Sequence, residues 1–480
     1  MGIRKNFGFN IILTGANYIF PLLVFPYITR IFDAELIGTC NFVESIVNYL
    51  VMFSALGLSG YGVREVARRK GNQHELNRLF SSLLCINVCM SVLWLFVYLI
   101  CVFTVPQLYE LRSFCLIGCI KIITSCFLVE WFFQGMEQFK YITFRAIVIR
   151  LLFVVSVFIF VRTRADILVY FSLLMLTVGL NAAINMFYSR NFVKISFKNI
   201  QIKRYLVPLL SFGYYTIFVY FYTTFNSIYL GFATNETEVG YYSISAKIVA
   251  IALSVFTALN TVMIPQISKW LHEGNAEILN QRINQCIVML ILLATPISYY
   301  CLIYAGDIVS IIAGEGYEGA VIPLKIVSIL ILVLGLSQTV MAVLSSSVKA
   351  NKPLIIISSF GAVTGISINI LLTQNLQCIG SCISWTTTEL LVLMLATYLM
   401  LKVTTVKLDF NKMLATLVST VVYVPFMVGL TMLIDNSFLR VLFGGIVSAL
   451  LMILILRYWL SKEWLRGVVP VKIERLLFKI

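Results

Sequence analysis

Apolar stretches about 20 residues long, parted by short polar breaks, recur from one end of the chain to the other. A stretch of that length crosses a bilayer core of about 30 Å as a helix rising 1.5 Å per residue. Such windows fall at residues 9–29, 37–58, 79–103, 114–133, 142–161, 167–187, 207–232, 240–264, 283–304, 321–344, 354–372, 378–401, 413–434 and 440–459. The pattern predicts an all-α integral membrane protein with about fourteen transmembrane helices.

The polar breaks alternate in charge. Bases gather in every second loop: Arg64, Arg68, Arg69 and Lys70 in one, Arg190, Lys194, Lys198, Lys203 and Arg204 in another, and the tail after Arg457. The intervening breaks at 233–239 and 305–320 carry Glu236, Glu238, Asp307, Glu315 and Glu318 and no base. By the positive-inside rule both termini lie in the cytoplasm, which requires an even number of spans. The first apolar stretch runs through Pro21 and Pro26 into Arg30 without a small-residue cleavage pattern, so it reads as a span and not as a signal peptide.

Composition agrees with the pattern. The 480 residues are 60% hydrophobic and 12% charged, with a mean hydropathy of +0.94, whereas soluble domains carry about 25% charged residues. The net charge of +15 sits on alternate loops and not on one basic face, which argues against a nucleic-acid partner and for membrane lipids. The eleven cysteines lie almost entirely within spans, as in the i, i+4 pairs Cys85 with Cys89 and Cys115 with Cys119, and read as apolar packing. His74 and His272 are the only histidines and both fall in cytoplasmic loops, so neither a zinc site nor a histidine relay is expected in the membrane. A P-loop pattern is absent, so energy for transport must come from an ion gradient or from the substrate's own imbalance.

A faint repeat divides the chain. Gly38 precedes Gly71-Asn72 by 33 residues, and Gly240 precedes Gly274-Asn275 by 34. Similar polar stretches follow, Glu75-Leu76-Asn77-Arg78 and Glu277-Ile278-Leu279-Asn280-Gln281-Arg282. The expected organisation is an N-terminal six-helix lobe over 1–195, a C-terminal six-helix lobe over 196–402, an additional helix pair over 403–460 and a basic amphipathic cytoplasmic tail over 461–480. Repeats of six spans run parallel, an arrangement in which transporters handle substrate between the halves.

Ionisable residues inside spans are costly and mark function, a partner or a watery cavity. They are Glu44, Lys121, Glu130, Arg145, Arg150, Lys247, Lys325 and Glu389. Arg145 and Glu130 are placed to pair across a hairpin near the cytoplasmic side, and Lys325 to snorkel at a span end. Lys121, Arg150, Lys247 and Glu389 lie deeper. Glu44 and Lys247 fall at matching depths in the two repeats, so a pair between them is either an outer gate or a structural ion pair. Arg30 adds positive charge near the same mouth. A surplus of base suits an anionic substrate, because guanidinium groups grip phosphate oxygens. Glu44 or Glu389 is a candidate for ion coupling or gating with H+ or Na+. No catalytic residue, metal site or cofactor is indicated.

Specific strings then add to the pattern: Pro26-Tyr27-Ile28 with Arg30 and Gly38, Gly57-Leu58 with Tyr61-Gly62 and Arg64-Glu65, Trp131-Phe132-Phe133-Gln134-Gly135-Met136-Glu137 through Phe139-Lys140-Tyr141, and Leu230-Gly231 followed by Val239-Gly240-Tyr241-Tyr242-Ser243 and Ala246-Lys247. In their order and spacing the chain resembles, over most of its length, the Wzx-type polysaccharide flippases of the superfamily that includes the multidrug and toxin exporters. The resemblance implies a transporter that is not an enzyme, sited in the bacterial cytoplasmic membrane. It would carry undecaprenyl-pyrophosphate-linked oligosaccharide, as in O-antigen assembly, by alternating access. Arg30 and Lys247, with Arg150 and Lys121, would hold the pyrophosphate, and the polysaccharide polymerase and chain-length machinery would be partners. Relatives often carry an acid shortly before the Leu-Gly of span seven, where this chain has Asn226; any coupling then falls to Glu44 or Glu389. Two alternatives stand beside this reading. A MATE-like cation or drug antiporter would keep the fold, but the buried base disfavours cationic cargo. A membrane glycosyl polymerase would need sizeable outer loops, and the longest expected here is 305–320.

Overall fold

The structure, a computed structural model, describes residues 3–196, 200–272, 276–347 and 351–461. The second repeat mark, Gly274-Asn275, and nearly all of the expected tail over 461–480 lie outside them. Regular structure among the described residues is helical. Eleven helices are long and apolar enough to cross a membrane, or twelve when the bent pair Ile202–Tyr214 and Ile217–Ala233 counts as one span. Fourteen is not reached by this count for two reasons. The first helix enters it only as the shorter apolar stretch Phe20–Ile31, and one 52-residue helical run is counted once although it reverses direction.

Packing divides the chain into residues 1–240 and 241–480. The first unit holds α1 (Ile3–Ile31), α2 (Ala34–Ala55), α3 (Leu58–Arg69), α4 (Gln73–Thr104), α5 (Pro106–Glu110), α6 (Arg112–Ser125), α7 (Glu130–Gly135), α8 (Phe139–Phe160), α9 (Ile167–Ser189), α10 (Ile202–Ala233) and the first turn of α11 (Glu236–His272). Several expected single spans are broken. Leu56 and Gly57, both at positive φ, part α2 from α3, and Val129, at φ 38°, precedes α7. The backbone of Gly57 lies against that of Gly213 on α10, where a side chain at either position would collide. The aromatic string at 131–133 fills a core with Phe80, Tyr61 and Leu83, which is why it is apolar and bulky.

The two repeat glycines meet in this unit. A Cβ on Gly38 would sit 2.6 Å from the carbonyl carbon of Glu236 and 2.8 Å from the Gly240 nitrogen, while one on Gly240 would sit 2.8 Å from the Ala34 carbonyl carbon. Each glycine therefore faces the residue four places before the other. Both helices also begin alike: Asp33 accepts from the Leu36 N–H at 3.0 Å and Asn235 from the Glu238 N–H at 3.0 Å. These N-cap bonds satisfy otherwise orphaned donors. Residues 33 and 235, 34 and 236, and 38 and 240 are each 202 apart, so the crossing is built from equivalent positions.

The second unit continues α11 and adds α12 (Ala276–Ile303), α13 (Ala305–Ile312), α14 (Val321–Val327), α15 (Leu330–Ser345), α16 (Asn351–Val403), α17 (Phe410–Thr420), α18 (Tyr423–Leu433) and α19 (Ser437–Ser461). The nominal α16 would be about 80 Å long if straight, far beyond a bilayer. It folds back at Gln377, whose φ is 52° and ψ −132°. Thr373 and Ser381 hydroxyls lie 2.9 Å apart, a separation impossible eight residues along one straight helix. The expected spans 354–372 and 378–401 are thus both present within it.

The additional helices are tied to α12 and α13. Tyr300 donates to the Val441 carbonyl at 2.8 Å, Tyr304 to the Met427 carbonyl at 2.9 Å, and Arg440 grips both Asp307 oxygens at 3.1 and 3.2 Å. Gly444 leaves room for the Tyr304 ring.

Candidate functional site

In the first unit, packing of α2 against α6 brings Glu44 and Lys121 together, Nζ to Oε1 at 2.8 Å. Lys121, expected to meet substrate, is therefore one half of an ion pair, and the pair carries no net charge. Arg30 is exposed near the end of α1 and donates to the Pro26 carbonyl at 2.5 Å.

Buried base collects between α7, α8 and α9. Arg145 is buried and bonds to Glu130 and to the Asn185 side-chain oxygen. The pairing of Arg145 with Glu130 matches the sequence reading. Asn185 was not foreseen, since a single Asn on an apolar helix gives no pattern. It also accepts from the Tyr141 hydroxyl at 3.0 Å and donates to the Leu128 carbonyl, so it fixes the whole cluster. Arg150, less than two turns further along α8, feels both Arg145 and Glu130. Its Nη1 and the Nε of Arg145 are buried without hydrogen-bond partners. Two guanidinium groups thus face one carboxylate, and two N–H groups lack an acceptor.

The bases expected in the first cytoplasmic loop are in fact on a helix. Arg64, Arg68 and Arg69 ride on α3, where the buried Glu65 accepts from Arg69 and, at 3.2 Å, from Arg68. Arg64 lies over the Phe212 ring at 4.5 Å. In the sequence Glu65 stood out only within the Arg64-Glu65 string, and its role as the acceptor for these bases appears only in the structure.

In the second unit, Lys247 is partly buried on α11 and Lys325 is exposed on α14. Glu389, on the second limb of α16, is 2% exposed. Nearby, Asn369, Thr373 and Ser381 share hydrogen bonds across the fold-back, and Thr339 donates to Asn260 at 3.0 Å between α15 and α11. All eleven cysteines are free thiols, and no metal-binding group of three His, Cys, Asp or Glu exists among the described residues.

The sequence profile of a family described as "Polysaccharide biosynthesis protein" matches residues 3–271, more than half of the chain. The chain belongs to that family. A relative in Escherichia coli (strain K12), named "Putative O-antigen transporter", is 25% identical over 400 residues, covering 82% of this chain and 95% of the relative. Among solved structures, the "Lipid II flippase MurJ, inward closed conformation" superimposes with a TM-score of 0.74 at 12% identity, over 94% of this chain and 99% of the other. An outward-facing multidrug resistance MATE family transporter of the MOP superfamily gives 0.57 at 13% identity, over 82% and 92%. The fold is accordingly that of the MurJ and MATE transporters.

Proposed function

We propose that the chain is a transporter and not an enzyme, and that it moves a lipid-linked oligosaccharide across the bacterial cytoplasmic membrane with both of its own termini in the cytoplasm. The cargo is an undecaprenyl-pyrophosphate-linked polysaccharide repeat unit, flipped by alternating access and driven by a cation gradient. The observation that carries this reading is the uncompensated base within an apolar helical unit, Arg145 and Arg150 against Glu130 alone with two guanidinium N–H groups lacking acceptors. Buried charge of that sign is held at considerable cost unless an anion visits it. A pyrophosphate supplies several acceptor oxygens to such donors. The name of the E. coli relative and the fold shared with MurJ support the same cargo class.

Arg150, Arg30 and Lys247 hold the pyrophosphate at successive stages, and Lys121 joins them when Glu44 releases it. The polyprenyl tail stays in lipid throughout. Downstream, the polysaccharide polymerase and chain-length machinery receive the unit. A cationic drug would meet like charge in the same place, so drug export fits less well. Complementation of a flippase-deficient strain tests the assignment. Arg30→Ala, Arg150→Ala and Lys247→Ala should each abolish surface polysaccharide while the protein still accumulates in the membrane. Full polysaccharide in all three would remove these residues from the site.

A further inference from the structure

The two carboxylates considered for coupling differ in their surroundings. Glu44 already has a cation, Lys121 at 2.8 Å. Glu389 has none among the described residues, and its one polar neighbour is the Trp385 indole, one turn earlier, which lies beside the carboxylate without the alignment of a full hydrogen bond. The hydroxyls of Thr386 and Thr388 are likewise buried without partners. That is unusual, because a buried helical threonine ordinarily bonds back to the carbonyl three or four places earlier. At 100° per residue, positions 385, 386, 388 and 389 share one face of the helix, with Glu389 near its middle.

We infer that Glu389, with Trp385, Thr386 and Thr388, forms a proton-binding site in the second unit, where the coupling proton is held as a neutral carboxylic acid. The inference rests on the gradient-driven reading above and deepens it by choosing both the carboxylate and the ion. An ionised carboxylate without a cation at membrane depth costs several kcal/mol, about 2.5–3.5 kcal/mol on insertion scales and more in simulation. Adding H+ to the carboxylate gives the carboxylic acid, removes the charge and creates an O–H donor for which an unpartnered threonine hydroxyl oxygen on the same face is an acceptor. A sodium ion fits poorly. Hard cations take about six oxygen ligands, whereas this face offers one carboxylate and two hydroxyls, and the indole N–H presents a positive edge to any metal.

The other ionisable groups around this face are few. On α11, Tyr242 has its ring 6.1 Å from that of Trp385, and Lys247 lies five residues on. Packed against α16, α14 carries only the exposed Lys325, and α15 carries no acid or base. Cys382, two turns before Glu389 on the same limb, is buried. The influences on the carboxylate itself are its burial and the Trp385 indole.

Infrared difference spectroscopy on the full-length protein in lipid vesicles tests the site without requiring transport. The wild type at pH 7 should show a carboxylic-acid carbonyl band that is absent in Glu389→Gln and unchanged when sodium replaces potassium. Trp385→Phe should shift the band without removing it, since the indole positions the acid and does not carry the proton. A band that persists in Glu389→Gln, or that sodium abolishes at constant pH, would overturn the proposal. In the same vesicles, an imposed pH gradient should speed cargo transfer at least fivefold in the wild type and leave Glu389→Gln unaffected. Equal acceleration in both would overturn the proton assignment while leaving the flippase reading intact. A band lost in Glu389→Gln with no cargo transfer in the wild type would support the proton site and count against the flippase.

Discussion

Gly38→Ala probes the crossing of α2 and α11 with a single methyl group. The added Cβ would lie 2.6 Å from the Glu236 carbonyl carbon and 2.8 Å from the Gly240 nitrogen. Carbon–carbon contacts settle at about 3.5 Å or more, so the two backbones must part by roughly 1 Å. Close-packed interiors do not absorb that displacement freely, and overpacking typically costs about 1–3 kcal/mol. At 1.4 kcal/mol per tenfold, the closed crossing should lose about five- to a hundredfold in population. Helix propensity works the other way, favouring Ala over Gly by about 1 kcal/mol. A loss therefore cannot come from the helix itself. Gly240→Ala should behave alike, while Gly429→Ala on α18, where a Cβ meets open space, should be neutral or stabilising. The natural reporter is Cys40, buried two residues beyond Gly38. In a background lacking the other ten thiols, its reaction with a membrane-impermeant maleimide should accelerate at least fivefold in both alanine variants. Wild-type labelling and wild-type melting in Gly38→Ala and Gly240→Ala would refute the backbone-contact argument.

Three further perturbations address the ties within each unit. Arg440→Met strands Asp307, whose side chain is only 12% exposed, and should lower stability by about 1–2 kcal/mol, the partial exposure placing it below a fully buried pair; unchanged thermal melting would show that the clasp does not hold the additional helices. Asn185→Ala removes the acceptor shared by Arg145 and Tyr141 and the donor to Leu128, and should cost about 2–4 kcal/mol, measured by melting in detergent. For Glu44 and Lys121, a double-mutant cycle of Glu44→Gln and Lys121→Met should return a coupling of about 0.5–3 kcal/mol; strictly additive effects would mean that the 2.8 Å pair contributes nothing.

Much of the architecture was legible because its causes are local. Spans follow from apolar runs, and the reversal inside α16 coincides with the polar stretch Thr373-Gln374-Asn375 ahead of Gln377. Gly38 and Gly240 were visible as repeat marks, and the structure supplies their reason, backbone contact that tolerates no side chain. The pair of Glu130 and Arg145 was readable because a short hairpin brings its partners together. Glu44 and Lys121 are 77 residues apart, and only the packing of α6 on α2 makes them neighbours. For that reason the sequence reading did not pair Glu44 with Lys121. Helix breaks at Leu56 and Val129 were missed because apolar residues at positive φ carry no turn signal. Polar singletons such as Asn185 and Thr388 were equally silent, since one hydroxyl or amide barely changes the hydropathy of a span.

Translocation itself is the claim on which the account depends. Purified protein in liposomes, supplied with fluorescent undecaprenyl-pyrophosphate oligosaccharide, should carry label to the opposite leaflet, faster under an imposed proton gradient and not at all in Arg150→Ala. Folded wild-type protein that leaves the label in its original leaflet, with and without the gradient, would contradict it.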